Sequence, residues 1–311
     1  MIIPTIHLAV VAISAVQVSD EELIDAAALV TRCADAGGVL TLHTDLHVVA
    51  GAAQTGACHI ILDFSRLVME GVQLSASGFF VIDGQPGGEL RIERSTLAQS
   101  NPEGFPVNIL LRAHHLTVDS TVVDFDGSIH LETGMGDRGV MHVESTILRS
   151  GSEDVKVGAS GTFAEGVSEV RSSILLAATD INVTASFRQA GLRRGVVDVE
   201  GSSLLAGGSI TIQTGDAGQT RVRGNGVLRA AENITITSSS EGQTRVEENR
   251  IRGENEVRIS SGGYTNASLN IFLGSGDVEV QGPGCESQEN IPEVVCTPSR
   301  TATESSSAEL K

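Results

Sequence analysis

Residues 196–282 repeat one short pattern four times. The four copies are VVDVEGSSLLAGGSITIQT (196–214), RVRGNGVLRAAENITITS (221–238), RVEENRIRGENEVRISS (245–261) and ASLNIFLGSGDVEVQ (267–281). Each copy has an apolar residue, two spacers, a Ser or Asn, one spacer and a second apolar residue, and a short apolar-x-apolar strand follows. A pattern that recurs at a nearly fixed interval indicates a solenoid, in which each repeat is one unit stacked on the next.

The Ser or Asn of each copy is an anchor position that can be followed upstream through much of the chain. Successive anchors lie 21 to 29 residues apart. Small polar side chains suit a sharp corner, because they hydrogen-bond nearby backbone and because Asn tolerates the left-handed conformation. The predicted anchors, which should form one line along the stack, are Ser95, Thr121, Thr146, Ser173, Ser202, Asn225, Asn249 and Asn270.

The two arms of each repeat differ in how much their length varies. A strand begins 8 or 9 residues after each anchor, whereas 13 to 21 residues separate a strand from the next anchor. Stacked strands must keep their register, while a loop that projects from the stack can lengthen freely. The spacing therefore predicts an all-β chain, folded over residues 38–284 as a single-stranded parallel β-helix of about ten coils. The repeating strands are predicted to begin at Ile129, Val155, Ile181, Ile210, Ile234, Val257 and Val278.

Composition agrees with this fold class and excludes several functions. The chain of 311 residues contains 35 glycines, no tryptophan and 3% aromatic residues, which is typical of short strands joined by glycine-rich turns. A formal net charge of −18 excludes a nucleic-acid partner, since binding phosphates requires clustered Lys and Arg. The same charge disfavours an anionic membrane surface and keeps an extended protein soluble.

The two ends of the chain depart from the repeat. Residues 1–18 are apolar but too short to span a membrane, and they suit either a secretory signal or an edge strand of the first coil. Residues 285–311 are predicted to form a short C-terminal loop followed by a disordered tail, because the tail is polar and biased in composition.

Residues 19–37 are predicted to form a helix that covers the open end of the first coil. Ser19 and Glu22 have the spacing of a capping box, and two glycines follow the segment and end the helix. A cap of this kind protects strand edges that would otherwise be exposed. The predicted apolar face of the helix comprises Leu23, Ala26, Ala27 and Val30.

The apolar-x-x-[Ser/Thr/Asn]-x-apolar corner, repeated at this period, resembles the right-handed parallel β-helix of the pectin-lyase-like superfamily. It is also similar to the repeats of filamentous-haemagglutinin-type exoproteins. The resemblance covers roughly residues 38–284, and it implies a right-handed β-helix with a helical N-terminal cap. It does not select one function, because the superfamily includes lyases, hydrolases, epimerases, adhesins and phage spikes.

A mixture of acidic and basic side chains around one repeat gives the best candidates for catalysis. Uronate lyases need a base and a positive charge beside a carboxylate, and glycoside hydrolases need two carboxylates at a set separation. No contiguous enzyme signature of the superfamily accompanies these residues, and corner and strand side chains occupy different sides of a coil. We therefore expect a chain without catalytic activity. The candidate residues are Asp124, Asp126, His130, Glu132 and Lys156.

The longest variable loop carries a basic cluster, Arg188, Arg193 and Arg194, in a strongly acidic chain. Long loops on rigid scaffolds commonly carry binding sites, so these arginines are predicted to bind a ligand. The alternative is that they pair with Asp and Glu on adjacent coils. No metal site and no cofactor are predicted, because the chain lacks a complete Ca²⁺ loop and a Cys/His pair with zinc spacing.

Four cysteines are paired by position at the two ends of the repeat region. Cys33 and Cys58 lie one coil period apart, so they are expected to be vertical neighbours within disulfide reach. Cys285 and Cys296 bracket a short polar segment after the last strand. Two disulfides would indicate an oxidising compartment, and four reduced thiols are the alternative.

These features predict an extracellular or cell-surface structural or adhesive module, located outside the cell or at the outer membrane or periplasm. Its expected partners are a polysaccharide or another surface protein. The alternatives are a secreted polysaccharide lyase or glycoside hydrolase and a fragment of a phage-type spike. The sequence does not specify the oligomeric state.

Overall fold

A computed structural model describes residues 21–100, 105–133, 139–161, 166–187, 195–215 and 217–298. The chain forms an all-β parallel β-helix of about ten coils with one short helix near the N-terminus, which confirms the predicted fold class. In chain order the elements are β1 (Glu22–Ile24), α1 (Ala26–Asp35), β2 (Val39–Leu42), β3 (Leu46–Val49), β4 (Ala52–Thr55), β5 (Cys58–Leu62), β6 (Arg66–Glu70), β7 (Gln73–Ala76), β8 (Phe80–Glu93), β9 (Thr96–Gln99), β10 (Ile109–Asp119), β11 (Val122–Phe125), β12 (Ile129–Thr133), β13 (Val140–Glu144), β14 (Ile147–Ser150), β15 (Val155–Gly161), β16 (Gly166–Arg171), β17 (Ile174–Ala177), β18 (Ile181–Phe187), β19 (Gly195–Glu200), β20 (Ser203–Ala206), β21 (Ile210–Thr214), β22 (Gln219–Arg223), β23 (Val227–Ala230), β24 (Asn233–Ser238), β25 (Gln243–Glu247), β26 (Arg250–Gly253), β27 (Glu256–Ser261), β28 (Tyr264–Ser268), β29 (Ile271–Phe272), β30 (Asp277–Gln281), β31 (Gly284–Gln288) and β32 (Cys296–Thr297).

The strands form three lateral faces, and each strand pairs in parallel with the strand one coil away. The first face leads into the anchor corner and contains β1, β3, β6, the end of β8, the end of β10, β13, β16, β19, β22, β25, β28 and β31. The second face follows the anchor and contains β4, β7, β9, β11, β14, β17, β20, β23, β26 and β29. The third face contains β2, β5, the start of β8, the start of β10, β12, β15, β18, β21, β24, β27, β30 and β32.

Inward side chains stack in columns along the stack and form one continuous core. On the third face Ile210 pairs in register with Ile234, which pairs in turn with Val257, and all three are buried. The burial of residues along most strands alternates with a period of two, because successive side chains point to opposite faces of a sheet. The predicted stacking of these inward residues is confirmed.

The predicted line of anchors is confirmed as a buried hydrogen-bond ladder. The backbone N–H of each anchor donates to the side-chain oxygen of the anchor on the next coil. Examples are Ser173 to Ser202 Oγ at 3.1 Å and Ser202 to Asn225 Oδ1 at 2.8 Å. The ladder is longer than predicted at both ends, because Val72 donates to Ser95 and Asn270 donates to Asn290.

The residue in the left-handed conformation at the corner is the one before the anchor, not the anchor itself. The prediction that Asn suits the anchor position because it tolerates this conformation is therefore wrong. Ser172 before Ser173 has a φ of 48°, and Glu248 before Asn249 has a φ of 58°. The anchor side chain is instead selected for its hydrogen bonds to backbone on the neighbouring coil. Gly224, with a φ of 59°, adopts this conformation without a Cβ penalty.

The helix starts later than predicted. α1 begins at Ala26, and Asp25 caps it by accepting a hydrogen bond from the Ala28 amide at 2.7 Å. The predicted capping box is wrong, because Glu22 lies in β1, where it pairs with Leu46. Ser19 and residues 1–18 lie outside the described residues, as does the tail after residue 298.

The buried stripe of the helix also differs from the prediction. Ala26, Leu29 and Cys33 are buried, while Leu23 is exposed in β1. The helix packs against β2, β3, β4 and β5, so it lies over the first coils. Ala26, Leu29 and Cys33 have the i, i+3, i+7 spacing of one helix face, and the packing of the helix on the first coils determines which face is buried.

A disulfide lies at each end of the stack. Cys33 of the helix is bonded to Cys58 of β5, with their Cα atoms 6.2 Å apart. Cys285 of β31 is bonded to Cys296 of β32, with a Cα separation of 5.9 Å. A terminal coil has a neighbour on one side only, so a covalent link compensates for the packing that it lacks.

Candidate ligand-binding groove on the second face

The candidate catalytic residues do not converge. Asp124 lies on the second face in β11, and its carboxylate is 3.5 Å from Nη1 of Arg149 on the next coil. His130 and Glu132 lie on the third face in β12. The two groups of side chains therefore belong to different sheets, as the distinction between corner and strand positions indicated.

On the third face the candidates form ion pairs along the stack. His130 and Lys156 are register partners, but their side chains bond to different carboxylates. His130 Nε2 lies 3.3 Å from Asp154 Oδ1, and Lys156 Nζ donates to Glu132 Oε1 at 2.6 Å. Each of these two basic residues is thus paired with an acid on a neighbouring coil, an arrangement typical of a charged lateral surface.

The other predicted sites have a mixed outcome. Asp126 follows β11, and its backbone amide donates to Gln99 Oε1 at 3.1 Å. Arg188, Arg193 and Arg194 lie outside the described residues.

Among the residues that the structure describes, no group of three or more His, Cys, Asp or Glu side chains is placed to hold a metal ion. Within the same ranges no helix has the length and apolar character needed to cross a membrane.

An extended concave surface lies on the second face, over residues that the sequence did not predict as a site. It has a volume of about 480 Å³. We call this surface the groove. It spans the four neighbouring strands β14, β17, β20 and β23 and the turns that follow them, and Glu254 from the turn after β26 closes one end. Its lining consists of Arg149, Ser150, Gly151, Leu176, Ala177, Ala178, Leu205, Ala206, Gly207, Arg229, Ala231 and Glu254.

Strand register determines which side chains form the groove. Arg149 pairs with Leu176, Leu176 with Leu205, and Leu205 with Arg229. These four outward positions form one column along the stack. The two leucines form the floor at its centre, and an arginine lies at each end.

Small residues in the turn after the second face make the surface concave. Glycine or alanine occupies this position on all four coils that line the groove. A Cβ atom at Gly207 would collide with the carbonyl oxygen of Ala178, and one at Gly151 would collide with the Asp126 carboxylate. Larger side chains are therefore excluded where adjacent turns approach most closely.

A ridge of aliphatic side chains runs beside the groove. Ile147 pairs with Ile174, and the two side chains are 37% and 40% exposed. Val227 lies two coils further along the stack, next to Ser203, and is 36% exposed. Exposed aliphatic side chains that form a contiguous patch mark an interaction surface more often than scattered ones do.

Val227 faces outward because the repeat shifts by one residue at that coil. In the preceding coil the second residue after the anchor, Leu204, packs inward, and Val227 is the second residue after Asn225. The structure buries Leu228 instead, because Gly226 adds one residue between the anchor and the strand. The same shift places Arg229 in the column of Leu205.

Two arginines, Arg149 and Arg229, and one acidic residue, Glu254, line the groove. Arg229 has no ion pair with another described residue, and Arg149 has only the 3.5 Å contact with Asp124. Arg250 and Arg252 continue the basic character on the next coil, where Arg252 Nε donates to Glu254 at 2.7 Å. A basic groove in a chain of net charge −18 is suited to an anionic ligand.

A smaller concave surface of about 270 Å³ lies near the N-terminal end of the third face. Its walls include Phe79, Val81 and Leu110, and Arg112 forms a two-point ion pair with Asp83, with Nε 3.1 Å from Oδ1. The hydrogen bond to Asp83 raises the pKa of Arg112, against the opposing effect of burial. This arginine is already neutralised by its partner, so it is less available to a ligand than Arg229.

Comparison with known proteins adds no relative. No protein-family model, no curated protein and no solved structure matches the chain.

Proposed function

We propose that this protein is a non-catalytic structural or adhesive module, and that it binds its partner through the groove and the adjoining aliphatic ridge. The observation that carries the proposal is an apolar surface in which the partly exposed Leu176 and Leu205 lie between two arginines. The exposed side chains of Ile147 and Ile174 lie beside them. Burial of such a surface favours association by about 25 cal/mol per Å² of apolar area, before the costs of binding.

The location proposed for this module is extracellular or at the cell surface. Two disulfides at the ends of the stack support an oxidising compartment. The parallel β-helix is also consistent with the resemblance to filamentous-haemagglutinin-type exoproteins and to the pectin-lyase-like superfamily. That superfamily includes adhesins. The separation of Asp124 from His130 and Lys156 supports adhesion over the alternative of a polysaccharide-degrading enzyme.

The proposal is tested by changing the exposed apolar side chains without touching the core. The variant combines Ile174→Ser, Leu176→Ser and Leu205→Ser. A matched control carries Asn182→Ser, Thr211→Ser and Thr235→Ser, which are three outward residues in register on the third face. Both proteins are applied to arrays of immobilised glycans, peptides and surface proteins.

We expect the unmodified protein and the control to be retained on the same array positions and the apolar variant to lose that retention. Circular dichroism and thermal unfolding should show that all three proteins remain folded. Equal retention of the apolar variant would refute the role of the groove. Release of new reducing ends or unsaturated uronates from an arrayed glycan would refute the non-catalytic function.

A further inference from the structure

We propose that the groove binds an extended protein segment in which two acidic residues flank one aliphatic residue, in the pattern acidic–x–aliphatic–x–acidic. This inference rests on the proposed function, because it names the partner of the same surface. It follows from the spacing of the two arginines, the chemistry of the floor and the open shape of the groove.

The spacing of the arginines sets the spacing of the acidic residues. Arg149 and Arg229 are separated by three strand pairings. Neighbouring strands lie about 4.8 Å apart, so the two side chains start about 14 Å from each other. An extended peptide rises about 3.3 Å per residue, so residues i and i+4 are about 13 Å apart and point to the same side. Two acidic residues at these positions would face the two arginines.

The floor sets the residue between them. Position i+2 of the same segment would point to the centre of the groove, where Leu176 and Leu205 are register partners. An aliphatic side chain there buries apolar surface against both leucines. The intervening residues x would point to solvent, so their identity is not restricted.

The floor also argues against a glycan. Along the centre of the groove the side chains are Leu176, Ala178 and Leu205, with Gly207 beside them, and none of these has a polar side-chain atom. The hydroxyl of Ser150 is buried and already donates to the Gly127 carbonyl at 2.8 Å. Sugar hydroxyls placed on this floor would lose water without gaining a side-chain partner, which is unfavourable.

The shape favours a protein segment over a small molecule. Nearly all residues that line the groove come from the second face and its following turn. Small-molecule sites bury most of the ligand surface, whereas this groove contacts a ligand from one side only. Apolar contacts at the centre with arginines around them are typical of protein interfaces.

The arginines are able to accept new carboxylate partners. Arg229 has no ion pair among the described residues, and the contact of Arg149 with Asp124 is long at 3.5 Å. A guanidinium binds a carboxylate through two parallel hydrogen bonds, and this geometry is stronger than a single contact. Glu254 also lines the groove, but Arg252 already binds it, so the two groove arginines favour the approach of a negatively charged segment.

The experiment uses methyl NMR on the full chain, with signals assigned for Leu176 and Leu205. The probe is the synthetic peptide GSESLSESG, which has the proposed spacing. Three matched peptides change one feature each: GSKSLSKSG reverses the charges, GSESSSESG removes the aliphatic residue, and GSELESSSG brings the acidic residues together. Oligogalacturonate is the probe for an anionic glycan.

We expect GSESLSESG to shift the Leu176 and Leu205 methyl signals and the three matched peptides to bind about tenfold more weakly or worse. Arg149→Glu and Arg229→Glu should each weaken binding by about the same factor. Arg250→Glu, on the same face but outside the groove, should leave it nearly unchanged. Raising the salt concentration should weaken binding, because exposed charges are screened.

Two results would overturn the inference. One is the absence of Leu176 and Leu205 shifts at millimolar GSESLSESG, and the other is equal affinity for GSKSLSKSG. The oligogalacturonate arm separates this failure from failure of the proposed function. Shifts of the same methyl groups by the glycan alone would leave the groove as the binding surface and reject the peptide as its ligand.

Discussion

The backbone amide and the side-chain Nδ2 of Asn225 both donate to Oδ1 of Asn249, at 3.1 and 2.9 Å. The same arrangement joins Asn249 to Asn270 and Asn270 to Asn290. In the N-terminal coils a Ser or Thr hydroxyl fills this role with one hydrogen bond from the anchor above it. Where both anchors are Asn, two neighbouring coils are therefore linked by two hydrogen bonds, from the backbone amide and Nδ2 of one anchor to Oδ1 of the next.

Asn249→Ala should be strongly destabilising, because it removes an acceptor shared by two buried donors. Each buried polar group left without a partner costs about 1–3 kcal/mol. The carbonyl of Val222 also loses the Nδ2 donor that lies 2.8 Å away. Urea unfolding of the whole chain should show a lower midpoint for this variant.

Asn249→Ser is the matched control for that measurement. Serine keeps an acceptor oxygen and a donor at the corner, as Ser202 does in an earlier coil. We expect a loss clearly smaller than that of the alanine variant. Equal losses in the two variants would mean that side-chain volume, and not the ladder, stabilises this corner.

The part of the ladder that the sequence predicted is the part with regular spacing. Asn290 was not predicted because β32 begins 6 residues after it (296 − 290), whereas the predicted strands begin 8 or 9 residues after their anchors. Val72 was not predicted as part of the ladder because it contributes only its backbone amide, which any residue type could supply. The helix start was misplaced because Ser19 and Asp25 both have the chemistry of a cap, and the pairing of Glu22 with Leu46 decided between them.

Ile234→Ala should create a cavity in the column formed by Ile210, Ile234 and Val257. Large-to-small changes of buried aliphatic residues cost about 2–5 kcal/mol, and Ile234 is fully buried. Thr235→Ala, at the adjacent outward position, should change the free energy of unfolding by about 0.5 kcal/mol or less. Unfolding midpoints in urea provide the comparison, and similar shifts in the two variants would contradict the inward orientation of Ile234.

The disulfides should stabilise the ends of the stack more than its middle. Replacing Cys33 and Cys58 together by serine removes the link between the helix and β5. A loop of this size contributes about 3 kcal/mol in the chain-entropy account. Hydrogen exchange should speed up in the helix and the first coils, while the amides of β20 and β21 keep their protection. Uniform acceleration throughout the stack would show instead that the coils unfold as one cooperative unit.

The groove was harder to predict from the sequence than the fold was. Leu175–Leu176 and Leu204–Leu205 are adjacent leucine pairs, and in a strand only one residue of each pair can point inward. That doubling, in two neighbouring coils, is the signal that could have located the floor. The arginines gave no such signal, because the one-residue shift at Gly226 brings Arg229 into the same column as Arg149.

Catalysis provides the last test, and the candidate residues allow it to be specific. His130 and Lys156 are each paired with a carboxylate on a neighbouring coil, and Asp124 lies in another sheet. A general base must reach the proton of a bound sugar, whereas His130 and Lys156 are each bonded to a carboxylate on the third face and Asp124 lies on the second face. We expect no cleavage of pectate, alginate, hyaluronan or neutral glucans, with or without Ca²⁺.

The assay measures new reducing ends and the absorbance of unsaturated uronates, so it detects hydrolases and lyases alike. Lys156→Ala should also leave the melting temperature almost unchanged, because a partly exposed ion pair contributes about 0–1 kcal/mol. Activity that disappears in His130→Ala or Lys156→Ala would identify an active site on the third face. Activity that survives both changes would place it on another part of the stack, and either result would reject the adhesive function as the sole role of this protein.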